Sequence, residues 1–117
     1  LENYKIQPKN EHIGNVYDLT MKCWINESLV SQGNLASMDW TFAEIIERAS
    51  YGVTLYPGDI IGSGTVGTGC LLELNGTAKR KDPKYQEQWI QPGDVIKLKV
   101  TGLGILENKI FLEEDTE

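Results

Sequence analysis

The chain has 117 residues, 40% of them hydrophobic, and a formal net charge of -6 from 11 lysines and arginines against 17 aspartates and glutamates. That length suits one domain with one core, and the negative balance excludes sequence-independent nucleic-acid binding, because phosphates would be repelled rather than shed their counterions. No apolar run approaches the roughly 20 residues of a membrane-spanning helix and the N-terminal LENYKIQPKN holds no apolar signal core, so the sequence reads as a soluble, cytoplasmic protein with no nucleic-acid or membrane partner.

Residues 1–14 carry no periodicity, include Pro8 and Gly14, and read as a leading loop or linker. The first residue is Leu1 rather than methionine, which fits a segment of a longer chain. From Val16 to Ile25 the sequence alternates, with Leu19, Met21, Cys23 and Ile25 on one face and Asp18, Thr20, Lys22 and Trp24 on the other, the signature of a half-buried strand. Asn26 and Glu27 turn the chain into a second short strand, Leu29 to Ser31, which Gln32, Gly33 and Asn34 end. Thr41 followed by Glu44 fits a capping box. Phe42, Ile45, Ile46 and Ala49 follow at helical spacing, and Gly52 stops the helix after Tyr51. The helix stripe reads as core packing.

An internal echo follows. Leu55-Tyr56-Pro57-Gly58-Asp59-Ile60-Ile61 is matched by Ile90-Gln91-Pro92-Gly93-Asp94-Val95-Ile96. Proline presets the first turn torsion, glycine accepts a positive one, and aspartate binds local amides, so both copies predict type II turns that launch strands, with structural aspartates. Between the copies lies TLYPGDIIGSGTVGTGCLLEL, Thr54 to Leu74, a loop rich in glycine and hydroxyls followed by an apolar run holding one carboxylate, Glu73. A glycine-rich loop lets backbone amides approach a ligand, and an acid between Leu72 and Leu74 is costly to bury without a partner. Asn75-Gly76 predicts a hairpin turn after a strand through Leu74, and residues 79–88 a polar loop. Val95 to Val100 alternates as a strand, Gly102-Leu103-Gly104 bends the chain, and Ile105 to Leu112 forms the last strand before an acidic tail, residues 113–117. These elements total about six strands and one main helix, an α+β fold dominated by a mixed or antiparallel sheet.

Cys23 and Cys70 lie in apolar segments without metal-ligand spacing and read as buried free thiols. The run GTVGTG, residues 64–69, lacks the Gly-Lys-Ser/Thr ending of a phosphate loop and is expected to lead into a hairpin rather than a helix, which argues against nucleotide binding. His12, the single histidine, has no serine elbow or metal partner at recognised spacing and reads as a surface residue.

The order of features carries more than any one of them. Asn26-Glu27, Gln32 and Asn34, the helix, Pro57-Gly58-Asp59-Ile60-Ile61, Gly64-Thr65, Leu72-Glu73-Leu74, Pro92-Gly93-Asp94-Val95 and Gly102-Leu103-Gly104 occur collinearly, and over roughly residues 13–112 the chain resembles the C-terminal part of the fumarylacetoacetate hydrolase family. The resemblance implies a mixed β-sandwich roll, with residues 15–112 as the C-terminal part of the catalytic domain. It also implies hydrolysis of a carbon–carbon bond in 2-oxo or 1,3-diketo acids, including acylpyruvates of aromatic catabolism, with a magnesium or calcium ion, and assembly as a homodimer. By the same resemblance Thr65, with Gly64 beside it, is the residue facing substrate, and Glu73 is the catalytic glutamate that orients a histidine. The alternatives are a turn-capping threonine and an exposed strand glutamate. The family's metal carboxylates, lysine and histidine match nothing here, so metal ligands are expected upstream, in the remainder of the same chain, and none within this segment. Isomerisation, decarboxylation or hydration of 2-oxo acids is the second enzymatic reading, and a non-catalytic binding or structural domain the third.

Overall fold

The computed structural model describes residues 1–9 and 11–113; residues 114–117 of the expected acidic tail lie outside the described residues. The backbone divides into two compact units, Leu1–Leu19 with Asn34–Gly64, and Thr20–Gly33 with Thr65–Glu117.

In the first unit the leading residues are not a bare loop. A 3₁₀ turn, Glu2–Tyr4, runs into strand β1, Lys5–Ile6, which pairs antiparallel with β2, Val16–Tyr17. The amide of Asp18 donates to the Tyr4 carbonyl at 2.8 Å and that of Leu35 to the Leu19 carbonyl at 2.9 Å. Those bonds surround Leu19, 2% exposed and the one buried apolar side chain among the described residues. Helix α1, Phe42–Ala49, begins as its capping box requires: the Thr41 hydroxyl accepts the Glu44 amide and the Glu44 carboxylate accepts the Thr41 amide at 2.8 Å. The helix ends at Ala49 rather than Tyr51. Its stripe is less buried than a core helix would be, with Phe42 and Ile46 both exposed.

The two Pro-Gly-Asp turns are built alike. Asp59 accepts the Tyr56 amide at 2.8 Å and Asp94 accepts the Gln91 amide at 2.8 Å, while Gly58 and Gly93 hold φ of 99° and 94°. Both aspartates are therefore structural, as expected. Their sequels differ. The second turn launches β5, Val95–Val100, whereas Ile60 and Ile61 form no strand and are exposed.

The second unit is a four-stranded sheet in the order β4-β3-β5-β6, with β3 Thr20–Ile25, β4 Ser28–Asn34 and β6 Gly104–Lys109. The first predicted strand is thus interrupted at Asp18 and Leu19, and the second extends through Gln32 and Gly33 to Asn34 instead of stopping at Ser31. β3 and β5 run antiparallel with Met21, Cys23 and Ile25 opposite Val100, Leu98 and Ile96, so the expected alternation gathers the apolar side chains on one face. On the other face Lys97 stands over the Trp24 ring at 5.2 Å. The hairpin at Asn26 and Glu27 puts both at positive φ. The Asn26 side chain fastens it by accepting the Val95 amide at 2.9 Å and donating to Asp94 at 2.7 Å.

The principal departure is helix α2, Leu71–Lys81, which occupies the place of the predicted strand, hairpin turn and start of the polar loop. Leu71, Leu74, Asn75 and Ala78 are its buried or half-buried positions, spaced i, i+3, i+4, i+7, and Leu72 is exposed. Asn75, 2% exposed, makes no turn. Its amide donates to the Gln88 carbonyl and its oxygen accepts the Gln88 amide, both at 2.9 Å, which holds the following loop against the helix. Lys79, Arg80 and Lys81, expected in a solvated loop, form the last turn of α2, where positive charge meets the negative end of the helix dipole. The fold remains α+β, with two α-helices rather than one and antiparallel pairing throughout the registered strand pairs.

Candidate substrate site

Residues 65–70 lead from an irregular segment into α2, and their glycines and hydroxyls decide the local path. The Gly69 amide closes a turn on the Val66 carbonyl at 2.8 Å, with Thr68 held at φ 69°, a left-handed conformation that costs a threonine energy unless neighbours enforce it. Two neighbours do so. The Thr68 amide donates to the Glu73 carboxylate at 3.0 Å, and the Thr68 hydroxyl lies 3.1 Å from the hydroxyl of Ser31 on β4.

Thr65 is exposed at the start of this loop. Gly64, the last residue of the first unit, has φ 86° and open space where a Cβ would stand. Glu73 is in the first turn of α2, not in a strand. Its negative charge favours the positive end of the helix dipole, and one of its oxygens is committed to the loop. The structure therefore brings Glu73 to the loop that carries Thr65, through Thr68. The Thr68 hydroxyl is one of those the glycine-rich sequence offers as neutral donors; its pairing with Ser31, 37 residues away, has no signal in the sequence. The rejection of a phosphate loop stands on the missing Gly-Lys-Ser/Thr, since a helix does follow the glycines.

His12 corrects the expectation of a plain surface residue. Its side chain is 17% exposed, its Nδ1 lies 3.0 Å from Glu44, and its ring meets Trp40 edge-on at 5.3 Å. The Thr41 amide, ahead of the Ile13 amide and His12, holds the Glu44 carboxyl down at about 2, against a partial opposing desolvation. These bonds give His12 a role in tying the leading segment to the cap of α1. An open cleft of about 790 Å³ lies beside α1, lined by Trp40, Ile45, Arg48 and Tyr51 among others, and none of the three predicted site residues lines it.

Cys23 is half-buried, and burial raises its thiol pKa; Cys70, at the N-cap of α2, is exposed rather than buried. Among the described residues no three His, Cys, Asp or Glu side chains cluster to hold a metal ion. No helix among the described residues is long and apolar enough to cross a membrane.

The family described as fumarylacetoacetate (FAA) hydrolase C-terminal matches residues 6–111. Among curated relatives, the chain is 31% identical to a mitochondrial oxaloacetate tautomerase of Bos taurus, over 86% of this chain and 28% of that protein. It is 29% identical to a 2,4-didehydro-3-deoxy-L-rhamnonate hydrolase of Sphingomonas sp., over 86% of this chain and 32% of the relative. It is also 29% identical to a 4-hydroxyphenylacetate degradation bifunctional isomerase/decarboxylase of Salmonella dublin, over 89% of this chain and 20% of the relative. The chain spans about a third or less of the length of these relatives.

Proposed function

The chain belongs to the fumarylacetoacetate hydrolase family, and from that premise we propose that it supplies the C-terminal part of a metal-dependent enzyme hydrolysing a carbon–carbon bond in acylpyruvate or 1,3-diketo acid substrates. The observation that carries the proposal is the loop at residues 65–69: an exposed threonine next to a backbone-lined turn, which is held by a glutamate from the helix that follows. In such a hydrolysis water adds to the acyl carbonyl, and the resulting tetrahedral oxyanion collapses by breaking the bond to the 2-oxo acid. The electron pair passes to that fragment as an enolate, which takes up a proton, leaving a carboxylic acid and a 2-oxo acid. Thr65 and the amides that follow it hold the substrate carboxylate or the oxygen that gains charge.

The second oxygen of Glu73 has no partner among the described residues, and we assign it the orientation of a histidine from outside residues 1–117. That histidine acts as general base on water. The magnesium or calcium ion is likewise proposed to take its carboxylates from outside this segment. The same proposal includes a cytoplasmic homodimer and docking of this segment on the remainder of its own chain.

A second reading, tautomerisation, isomerisation or decarboxylation of a 2-oxo acid, is favoured by the names of two relatives; the last of these also favours aromatic catabolism. The full-length protein incubated with acetopyruvate, with oxaloacetate and with an unsaturated 2-oxo diacid separates the readings. Acetate and pyruvate from acetopyruvate are expected for the hydrolase. Turnover of the other two without cleavage of acetopyruvate would replace it with the second reading, and no turnover at all would favour a non-catalytic domain.

A further inference from the structure

We infer that Ser31 and Gly33 of β4, together with Glu73 of α2, form the seat that fixes the loop from which Thr65 meets substrate; this rests on the reading of Thr65 as a substrate residue. Val66 is the one residue of segment 61–70 that is not exposed, and a methyl group at Gly33 would collide with its Cγ2, so glycine at 33 is what admits Val66 onto the strand. Two residues along β4, Ser31 is 7% exposed. The Ser31 and Thr68 hydroxyls share a hydrogen bond at 3.1 Å, and the Thr68 hydroxyl also reaches the Gly67 carbonyl. From the other side Glu73 accepts the Thr68 amide at 3.0 Å. The loop is therefore held at Val66 by fit and at Thr68 from two elements, which brackets the backbone next to Thr65. Thr68 holds its left-handed φ of 69° with its amide and its hydroxyl both engaged.

These are positioning residues, since none of them is assigned contact with substrate. A small loss of loop order acts on Thr65 through its backbone, and displacements of about 1 Å are enough to impair a site of this kind.

The test uses the full-length protein with acetopyruvate, and amide exchange at Thr68. Ser31→Ala and Thr68→Val each remove one partner, and each is expected to accelerate Thr68 amide exchange roughly 3- to 10-fold. KM should rise by a similar factor, and Thr68→Ser, which keeps the hydroxyl, should restore both. The double variant Ser31→Ala with Thr65→Val is expected to lose no more than Thr65→Val alone, because the seat works through Thr65. Unchanged exchange and kinetics in Ser31→Ala and Thr68→Val, beside an impaired Thr65→Val, would overturn the inference alone. Additive losses in the double variant would do the same. Normal kinetics in Thr65→Val would overturn the substrate reading itself, and the positioning role with it. If Ser31→Ala fails to fold, the exposed Thr68 variants decide.

Discussion

Glu73 carries two separable duties, and a pair of substitutions tells them apart. As a loop holder it offers an oxygen 3.0 Å from the Thr68 amide; as the proposed orienting group it offers negative charge. Glu73→Gln keeps an acceptor of the same reach and removes the charge, whereas Glu73→Ala removes both. In the first turn of α2 the charge contributes about 0.3–1 kcal/mol through the helix dipole, and an exposed charge-assisted bond to an amide about 1 kcal/mol more. Glu73→Gln should therefore destabilise by less than about 1 kcal/mol and Glu73→Ala by about 1–2 kcal/mol, a melting shift of a few degrees in a longer protein. If the charge orients a general base, Glu73→Gln lowers kcat on the order of 10² or more at nearly unchanged KM. If the carboxylate only holds the loop, Glu73→Gln stays close to wild type and Glu73→Ala raises KM several-fold. Steady-state kinetics of the full-length protein on acetopyruvate, with a melting curve for each variant, reads both. Wild-type kinetics in both variants, with intact folding, refutes either duty.

Thr41 is 3% exposed, and Thr41→Ala removes a hydroxyl that caps α1 and also donates to the Ile13 carbonyl, so a loss of about 1–2 kcal/mol is expected in urea unfolding, with no change in KM. Acid should act through Glu44. Its folded pKa lies below the ordinary value, so its contribution to stability is present above about 4.5 and is lost as the pH falls toward about 2, and Glu44→Gln should flatten the melting profile across that interval. Calorimetry with magnesium or calcium on residues 1–117 alone is expected to show weak binding or none; a tight one-to-one site would place the ligands within this segment after all. Light scattering on the same segment should show association, because Ile60, Phe111 and Leu112 are among many large apolar side chains left exposed; a well-dispersed monomer would contradict this.

The sheet was legible because its residues obey a two-residue period and pair with their like. Met21, Cys23 and Ile25 face Val100, Leu98 and Ile96 as their alternation requires, and the cap at Thr41 and Glu44 announced α1. The leading strand β1 was not legible, since Lys5–Ile6 is too short for any period to register. His12 was misjudged for a related reason: its partners, Glu44 and Trp40, are distant in sequence, and no local pattern joins them. Thr65, Gly64 and Glu73 stand out in the sequence as part of a glycine-rich, hydroxyl-bearing loop and as an acid in an apolar run, and their roles come from the resemblance alone. The hydroxyl pair Ser31 and Thr68 was invisible because it joins a strand to a loop that no short-range rule connects.

The misreading of residues 71–81 has a physical cause that bears on the site. Asn-Gly favours a tight turn because both residues tolerate positive φ, but that preference is worth little against tertiary bonds. Asn75 satisfies both ends of its amide with the Gln88 backbone while buried, and this offsets its poor helix propensity and that of Gly76. Once the segment is helical, the apparent strand alternation around Glu73 loses its meaning. Leu72 turns outward, and Leu71 and Leu74 turn inward. A strand would have sent Glu73 to one face of a sheet, alternating with its neighbours. The helix instead places it in the first turn, at the positive end of a macrodipole and within reach of the preceding loop. The same carboxylate thereby acquires a partner five residues before it, Thr68, and through it a connection to Ser31. The helical geometry, more than the residue type, makes Glu73 part of the loop that presents Thr65.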